Sequence, residues 1–443
     1  MAGPSGSARS ATPVSVGAGS CANAAGLAGG TDAVAGVAVG AAAGPAGESG
    51  VAGASSGAAA EPAVVPMWRS SFPAMGTRVD LIGWGGNGMA IVNAIVEVVA
   101  RHEDMWSVFR VSSEVSRLNA AVASAGGGEG VSRHLAESAE ASAGLVVSED
   151  TDRLLRGALA LAEATGGAFN PMIGPLVAAW DVKAMRAAYV AGAPLPPAPS
   201  SRVVEAALRA SSWGLLSRVG ERRWAVGVPA ESVGGVDAPS PRLDLGGIAK
   251  GYTADACRDL AVSMGARGVL VSVGTSSVSV SGTRADGSPW RAGLRDPHGV
   301  PTAIAGVVEL PADGMASLST SGDNLGPLGD ARALCAGPVS ERVSERVAER
   351  AADLRARETS RETPGGGGRI FDHHIIDPRT GYPARSGVRQ VSVVASSGVL
   401  AEALSTALLV DPSIDVSDVA ARWARAMGAP ASAKVVGLVR AER

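Results

Sequence analysis

The sequence predicts an α+β fold. Strand and helix patterns both occur along the chain, but they do not alternate as they would in a doubly wound parallel sheet. Arg78–Ile82 has a strand pattern, and Met89–Asp104 carries apolar residues at helical spacing. Val269–Val273 and Ser277–Ser281 follow each other as two strand patterns without a helix between them, and Arg389–Val394 is a further strand pattern. We therefore expect mixed sheets with helices packed against them.

Composition divides the chain into ordered and disordered parts. The 443 residues include 59 glycines, and aromatic residues make up only 3%. Residues 1–66 are mainly Ala, Gly, Ser, Val and Pro without periodicity, and such a segment buries too little surface to offset its ordering entropy. We expect a disordered tail over 1–66, a folded domain over 67–430 and a C-terminal tail over 431–443. A repeated Ser-Glu-Arg-Val and a run of four glycines predict a low-complexity insertion at 325–369.

Charge and apolar runs exclude several classes of protein. The 42 acidic and 39 basic side chains give a net charge of -3, which excludes a polycationic nucleic-acid binder. No run of about 18 apolar residues is present, so no transmembrane segment is expected. The N-terminus has no apolar leader after a basic cluster; this favours a cytoplasmic protein and leaves an exported or membrane-anchored form open. Cys21, Cys257 and Cys335 are too few and too scattered for a disulfide framework or a zinc cage.

A second helix is predicted after residue 150. Thr151 and Asp152 can cap it, and Gly166–Gly167 can end it. The intervening apolar residues share one helical face, at Leu154, Leu155, Ala158, Leu159 and Ala162.

Gly83, Gly85 and Gly88 spell the dinucleotide fingerprint G-x-G-x-x-G between a strand pattern and a helix pattern. That context keeps a nicotinamide-dependent oxidoreductase among the alternatives. The fingerprint also requires a second parallel strand that ends in an acidic residue about 20 residues further on. Helical spacing continues over Met89–Asp104 instead, so an ordinary strand-to-helix turn is the favoured interpretation.

The segment Leu243–Tyr252, with the sequence LDLGGIAKGY, is the strongest candidate for an anion site. Backbone N–H groups at its two glycines can approach phosphate oxygens, and the N-terminus of the helix that follows adds a partial positive charge. Lys250 adds a full charge, and lysine is rare here, since Lys183 and Lys434 are the only others. Asp244 can hold a ribose, an adenine or a neighbouring side chain. A plain glycine turn with a surface lysine is the alternative.

Two turns bring further polar side chains. The turn Asp377–Gly381 has Pro and Gly where a tight turn needs them, and it would fix His374 at the end of a strand. Histidine titrates near neutral pH and can transfer a proton, although an isolated histidine beside a turn is more often structural. Thr320–Asp323 is another tight turn, with hydroxyl and carboxylate oxygens.

Ala401–Leu409 predicts a helix near the C-terminus. Glu402 and Thr406 lie one turn apart on one face of it. A carboxylate and a hydroxyl are hard oxygen donors, and Mg²⁺ takes only one or two protein carboxylates beside substrate phosphates and water. The pair is therefore a candidate magnesium site, and a solvated glutamate on a helix surface is the alternative.

Taken in order along the chain, these segments resemble the ApbE family of FAD:protein FMN transferases. The resemblance spans about residues 67–430 outside the insertion. It rests on the segments Met75–Thr77, Ser107–Phe109, Ser113–Asn119, Gly166–Pro171, Gly174–Leu176 with Trp180, Leu243–Tyr252, Thr320–Asp323, His374–Pro383 and Ala401–Leu409.

This resemblance implies a fold and an activity. The fold expected is ApbE/T-fold-like, with mixed sheets, packed helices and an FAD site in a cleft between subdomains. The activity expected is transfer of FMN from FAD to a threonine or serine hydroxyl of a flavin-accepting protein, with Mg²⁺ and with release of AMP. Water in place of the hydroxyl would give an FAD pyrophosphatase, and a degenerate FAD-binding module is a third alternative.

The resemblance also implies site residues. The proton-transfer candidate is His374, with Asp323 in reserve, and Lys250 is placed at phosphate. The implied Mg²⁺ ligands are the Gly247 carbonyl, Glu402 and Thr406. The positions that correspond to FAD contacts are Met75, Phe109, Ala168, Phe169, Asn170, Asp244, Lys250 and His374.

Three positions depart from the family pattern. Glu402 stands where the family usually has Asp, Asn170 stands where an acidic residue is usual, and Thr275–Ser276 replace a common Gly-Asp pair. The additional methylene of Glu402 displaces its carboxylate in a cation shell that requires near-ideal geometry. These departures motivate the degenerate-module alternative.

Overall fold

The computed structural model describes residues 37–38, 66–126, 144–191, 194–229, 239–297, 303–311, 314–322 and 374–440. Most of the predicted tail over 1–66 and all of the predicted insertion over 325–369 lie outside these ranges. Within them, no helix combines the length and apolar character needed to cross a membrane.

Strands and helices succeed each other irregularly in the first half of the chain. They are β1 Val37–Ala38, β2 Met67–Ala74, β3 Thr77–Trp84, α1 Gly88–Trp106, α2 Glu114–Gly126, β4 Leu145–Val146, α3 Glu149–Ala164, α4 Gly174–Ala179, α5 Val182–Ala191, α6 Ser201–Ala210, β5 Leu216–Gly220 and β6 Arg223–Val226.

The second half contains most of the strands. Its elements are α7 Ala249–Ser263, β7 Gly268–Val273, β8 Ser277–Gly282, β9 Trp290–Arg295, β10 Ile304–Leu310, β11 Ser317–Gly322, β12 Val388–Ala395, α8 Gly398–Val410, α9 Val416–Met427 and β13 Ala433–Arg440.

A seven-stranded antiparallel sheet forms the centre of the fold. Its strand order is β13-β12-β11-β8-β7-β3-β2, and every neighbouring pair runs antiparallel. Two small sheets, β1-β9-β10 and β4-β6-β5, accompany it. The predicted α+β class with helices packed against sheets is confirmed, and the pairings among the described strands are all antiparallel.

The central sheet is covered on both faces. Helices α1 and α7 pack against β7 at Val271, and α8 packs against β12 at Val391. The hairpin β9–β10 covers the opposite face, where Trp290 meets Leu270 of β7. The strands in the middle of the sheet are consequently buried on both sides.

Strand β8 divides its side chains between these two layers. Val278 and Val280 join the core beneath the β9–β10 hairpin. Ser277 and Ser279 point the other way and form hydrogen bonds with carboxylates of α8 and α7. A row of hydroxyls therefore lies under the two helices that carry the candidate site.

The last strand corrects the predicted C-terminal boundary. A tail was expected over 431–443, but β13 pairs with β12 from Ala433 opposite Ala395 to Arg440 opposite Val388. The strand lies at the sheet edge, and its side chains are at most partly buried. Its apolar alternation is consequently weaker than that of a core strand.

The three glycines of the apparent dinucleotide motif have another role. A Cβ at Gly83 or at Gly88 would overlap the Trp68 indole, and the indole N–H donates to the Gly85 carbonyl at 3.1 Å. Strand β3 also lies between two antiparallel neighbours, whereas the fingerprint needs a parallel βαβ unit. Gly83 and Gly88 therefore make room for the Trp68 indole and Gly85 accepts its N–H, which agrees with an ordinary strand-to-helix turn.

The predicted cap of the second helix is wrong. The N-cap is Ser148, whose hydroxyl accepts the Thr151 N–H at 3.3 Å. Asp152 lies inside the first turn and accepts hydrogen bonds from Arg218 at 2.8 Å and Trp224 at 2.9 Å. The sequence offers several good cap residues within five positions, and tertiary contacts decide which of them is used.

Candidate functional site

The glycine turn before α7 is held by two other segments. The Asn119 side chain accepts the Leu243 N–H at 2.7 Å and donates to the Leu243 carbonyl at 3.0 Å. The Asp244 N–H donates to the Pro171 carbonyl at 2.8 Å, and the Asp244 carboxylate accepts the Gly246 N–H at 2.8 Å. The turn therefore follows a fixed path before the helix begins.

Lys250 lies in the first turn of α7 and folds back over the glycine turn. The residue is only 6% exposed, and its Nζ donates to the Gly246 carbonyl at 3.0 Å. A buried ammonium keeps its charge only where acceptors or anions face it. The lysine is built into the turn, so the surface-lysine alternative is wrong.

Helix α8 crosses α7 at a pair of glycines. A Cβ at Gly251 would overlap the Gly398 carbonyl, and a Cβ at Gly398 would overlap the Gly251 carbonyl. Only glycine permits backbones to approach this closely. The crossing brings Glu402 to the first turn of α7, where its Oε2 accepts the Gly251 N–H at 2.7 Å. The lysine turn and the helix that carries the acid therefore meet.

Glu402 is almost fully enclosed, with 4% of its surface exposed. Its Oε1 accepts the Ser277 hydroxyl at 2.5 Å, and its Oε2 accepts the Gly251 N–H. Burial raises the pKa of Glu402; the charge of Lys250 and these two hydrogen bonds oppose the shift, and the charge of Asp255 adds to it. The solvated-glutamate alternative is therefore wrong.

Oxygen donors continue along α8 beyond Glu402. Thr406 lies one turn later, with its Oγ1 3.2 Å from the Ser321 Oγ of β11, and Ser321 also lies 2.8 Å from Ser405. One carboxylate with hydroxyl and carbonyl oxygens suits Mg²⁺, which prefers oxygen ligands and few carboxylates. Among the described residues, no group of three or more His, Cys, Asp or Glu side chains is arranged to hold a metal. The oxygen donors of α8 are of the hard kind that Mg²⁺ accepts.

Gly247 and Phe169 lie side by side. A Cβ at Gly247 would be 3.6 Å from Cε2 of Phe169. Phe169 is 5% exposed and its neighbour Ala168 is 1% exposed, so both belong to the core beneath the turn. The structure thus brings one predicted metal ligand, Gly247, next to one predicted flavin contact, Phe169.

Asn170 has a structural use in this fold. Its amide donates to the Ser211 carbonyl at 2.7 Å, and its side-chain oxygen accepts the Met172 N–H at 2.8 Å. The residue is 7% exposed. These bonds fix the chain next to Pro171, which in turn holds the glycine turn.

Met75 and Phe109 lie in two connecting segments. Met75 and Gly76 form the two-residue turn of the β2–β3 hairpin with φ of 52° and 69°, and the Met75 N–H donates to Glu103 at 3.2 Å. Phe109 is 58% exposed in the α1–α2 connection, which leaves its ring faces open for stacking. A concavity next to the glycine turn is lined in part by Val108, the residue before Phe109, and by Asn119 and Arg242.

His374 is 6% exposed and begins the last described range. The predicted turn after it is present, because the Gly381 N–H donates to the Asp377 carbonyl at 2.8 Å. The Trp180 indole donates to the Gly381 carbonyl at 2.7 Å and fixes this turn against α4. Asp323, the reserve candidate, lies outside the described residues.

Arg379 connects this turn to the end of α8. Its guanidinium donates to Asp377 at 3.0 Å and to Asp411 at 2.8 Å. Hydrogen bonds from Ser413 and then from Arg379 lower the pKa of Asp411 to about 2. The helix that carries Glu402 at one end therefore anchors the His374 turn at the other.

Asp255 is a structural residue beside the site that sequence reasoning missed. Its carboxylate accepts the Ser317 hydroxyl at 2.6 Å, the Ser279 hydroxyl at 2.8 Å and the Gly398 N–H at 2.6 Å. It thereby joins α7, β8, β11 and α8. The sequence feature that could have indicated Asp255 is its position four residues after Gly251, which places both residues on one face of α7.

Comparison with known sequences now identifies the family. The sequence model of the ApbE family matches residues 75–327 and 350–428 of this chain. The chain belongs to the ApbE family.

Two curated ApbE relatives are named FAD:protein FMN transferase. The protein of Treponema pallidum is 32% identical over 276 residues, which are 61% of this chain and 62% of the relative. The protein of Rhodobacter capsulatus is 28% identical over 337 residues, which are 76% of this chain and 49% of the relative. The matched region thus spans less than two thirds of the length of either relative.

Solved ApbE structures are similar in fold. The flavin transferase ApbE from Vibrio cholerae has a TM-score of 0.54 at 20% identity, over 85% of this chain and 98% of that chain. The ApbE protein of Thermotoga maritima has a TM-score of 0.53 at 25% identity, over 85% and 97% of the two chains. The ApbE-like arrangement expected from the sequence is confirmed.

Proposed function

We propose that this chain is an FAD:protein FMN transferase. It cleaves the pyrophosphate of FAD with Mg²⁺, passes FMN to a threonine or serine hydroxyl of an acceptor protein as a phosphoester, and releases AMP. The observation that carries the proposal is the meeting of the Lys250 turn with Glu402 at the Gly251–Gly398 crossing. Membership of the ApbE family supports it.

The Lys250 turn has the chemistry to bind the diphosphate of FAD. The N-terminus of α7 carries a partial positive charge, and N–H groups of a glycine turn can approach phosphate oxygens. Lys250 folds back over the turn and donates to the Gly246 carbonyl at 3.0 Å, so its positive charge lies at the turn where a phosphate would bind. Asp244 holds the turn in shape and lies where FAD would be bound.

Glu402, Thr406 and the Gly247 carbonyl are the proposed ligands of Mg²⁺. Each oxygen of the Glu402 carboxylate accepts one hydrogen bond and retains a lone pair for a cation. When bound, Mg²⁺ neutralises charge on the phosphoryl oxygens. Positioning and charge neutralisation are the main requirements of phosphoryl transfer, and these residues supply both.

His374 is the proposed general base. The acceptor hydroxyl is barely ionised at neutral pH, and a base within hydrogen-bond reach contributes about 10²- to 10⁴-fold in rate. The link from Arg379 to Asp411 supports a fixed place for the His374 turn relative to α8. Met75, Phe109, Ala168 and Phe169 are the proposed flavin contacts, and Asn170 supports them through the backbone that it fixes.

The test is incubation of the chain with FAD, Mg²⁺ and a candidate flavin-accepting domain. We expect a fluorescent acceptor band that survives denaturation and that EDTA prevents. Lys250→Ala should slow labelling by about 10²-fold or more, because it removes a preorganised charge at the diphosphate. Lys434→Ala is the matched control, since Lys434 is exposed on the edge strand β13, and it should label normally.

Three results would contradict this proposal. Absence of label with several acceptors would argue against transfer, and FAD binding unaffected by EDTA without turnover would support a degenerate module. Release of FMN and AMP without any acceptor would support the pyrophosphatase instead.

A further inference from the structure

We propose that Ser277 is a positioning residue for the metal site, because its hydroxyl orients the Glu402 carboxylate toward the cation. The inference rests on the proposed function, which assigns the ion to this carboxylate. Ser277 is the first residue of β8 and is 1% exposed. Its Oγ lies 2.5 Å from Oε1 of Glu402, 125 residues away in the chain.

The direction of this hydrogen bond follows from its partners. An ionised carboxylate only accepts, so the Ser277 hydroxyl donates to it. The Ser277 oxygen can then accept from Ser276, whose Oγ lies 3.2 Å away. The Ser276 carbonyl accepts the Thr320 N–H at 3.0 Å, which holds this end of β8 against β11. Two hydroxyls in series are therefore directed at Glu402 from a fixed backbone.

The second oxygen of Glu402 is fixed independently. It accepts the Gly251 N–H at 2.7 Å, so the two hydrogen bonds together determine the plane of the carboxylate. A glutamate has one more rotatable bond than an aspartate, and Mg²⁺ requires near-ideal octahedral geometry. Ser277 thus supplies the orientation that the longer side chain would otherwise lack.

Strand β8 offers a matched control. Ser279 lies two residues further along on the same face, is fully buried, and donates to the Asp255 carboxylate at 2.8 Å. Alanine at either serine removes one hydroxyl and one hydrogen bond to a carboxylate, and at Ser279 it also removes the acceptor of the Arg258 N–H at 2.7 Å. Of these two serines, only Ser277 forms a hydrogen bond with Glu402, the proposed metal ligand.

The experiment measures the affinity of the full chain, loaded with FAD, for Mn²⁺. The EPR signal reports the concentration of free Mn²⁺, and a solution of FAD without protein is the blank. Loss of a group that orients a metal ligand typically lowers affinity about 10- to 100-fold, so we expect the Kd for Mn²⁺ to rise by about that factor in Ser277→Ala. The Kd should stay unchanged in Ser279→Ala. Ser279→Ala should lower the thermal unfolding midpoint at least as much as Ser277→Ala, because it also loses the bond from Arg258, which separates orientation from general stability.

A double-mutant cycle with Glu402→Asp adds a second readout. The shorter side chain draws the carboxylate away from Ser277, so Ser277→Ala should change the Kd for Mn²⁺ less in the Glu402→Asp background than in the original chain. The same fold-change in both backgrounds would overturn the inference, because Ser277 would then act without Glu402.

The remaining outcomes are also decisive. Equal Mn²⁺ affinity in Ser277→Ala and Ser279→Ala would overturn the inference, and so would an original chain that binds no Mn²⁺. Failure of the proposed function is a separate result. A chain that binds Mn²⁺ but labels no acceptor contradicts FMN transfer. The comparison of Mn²⁺ affinities still decides the role of Ser277 in that case.

Discussion

Glu402 and Lys250 are buried charged side chains with polar partners: Lys250 donates to Gly246 of the glycine turn, and Glu402 accepts from Gly251 of α7 and Ser277 of β8. Burial without such partners would cost several kcal/mol per charge. The residue types could be predicted from sequence, because a rare lysine after two glycines and an acid one turn from a hydroxyl are local patterns. Ser277 could not, because its partner is 125 residues away and a serine in a strand carries no signal of its own.

Substitutions at Glu402 test whether its carboxylate binds the metal. Glu402→Gln keeps the shape and removes the charge, so labelling of the acceptor should fall by about 10²-fold, as for loss of a metal ligand or its charge. Glu402→Asp keeps a hard oxygen donor and should retain or improve labelling. Both are measured as the initial rate of flavin incorporation over a range of Mg²⁺ concentrations.

Two results would contradict the predictions for Glu402→Gln and Glu402→Asp. If Glu402→Asp labels as poorly as Glu402→Gln, then the longer side chain is required and the shorter one does not suit the cation better. Retained labelling in Glu402→Gln would instead remove this carboxylate from the metal site.

At the scale of elements, the contact between α7 and α8 depends on two residues without side chains. The spacing of apolar residues predicted both helices, since it is a local property of the sequence. Their crossing could not be predicted, because Gly251 and Gly398 are unremarkable in a chain with 59 glycines. Strand β13 was missed for a related reason, since half-buried edge residues do not alternate strongly.

Alanine at Gly251 should destabilise the protein. Its Cβ would meet the backbone carbonyl of Gly398, which cannot move aside as a flexible side chain would, so we expect a loss of about 1 to 3 kcal/mol or more in the free energy of unfolding. The measurement is the urea midpoint.

Gly157→Ala is the control for this substitution. Gly157 lies inside α3, and a Cβ there would be 3.5 Å from the nearest atom, in Trp423. The helix should therefore gain roughly 0.5 to 1 kcal/mol from the alanine. If both alanine variants change the free energy of unfolding in the same direction, the crossing of α7 and α8 has room for a side chain at Gly251.

At the scale of the whole molecule, motifs that are far apart in sequence meet because the central sheet is antiparallel and its order does not follow the chain. The order of the motifs could be read from the sequence and led to the family. Strand order could not, because the pairing of β11 with both β8 and β12 joins segments separated by many residues.

Acid sensitivity is a second property of the whole fold, and it depends on His102 between α1 and α7. This side chain is 1% exposed, and its Nδ1 lies 3.0 Å from the Thr253 hydroxyl. Burial lowers the pKa of His102 from 6.5 to about 4; the charge of Asp150 opposes the shift and that of Arg101 adds to it.

The unfolded chain therefore binds a proton at His102 between pH 6.5 and about 4, whereas the folded chain does not. Stability contributed by this group is present above pH 6.5 and is lost as the pH falls through that window, by up to about 3 kcal/mol. Urea unfolding at several pH values should show this loss, and His102→Gln should give a flatter profile. Parallel profiles for the two proteins would show that His102 does not titrate in this way.

The pairing of β13 with β12 limits how this protein can be shortened. Ending the chain at residue 430 would delete the outermost strand and leave a row of backbone donors and acceptors on β12 without partners. Such a bare edge, half of it valine, can recruit strands from other molecules, which leads to aggregation. Any shorter version made for crystallisation or expression should therefore keep the chain through Arg440.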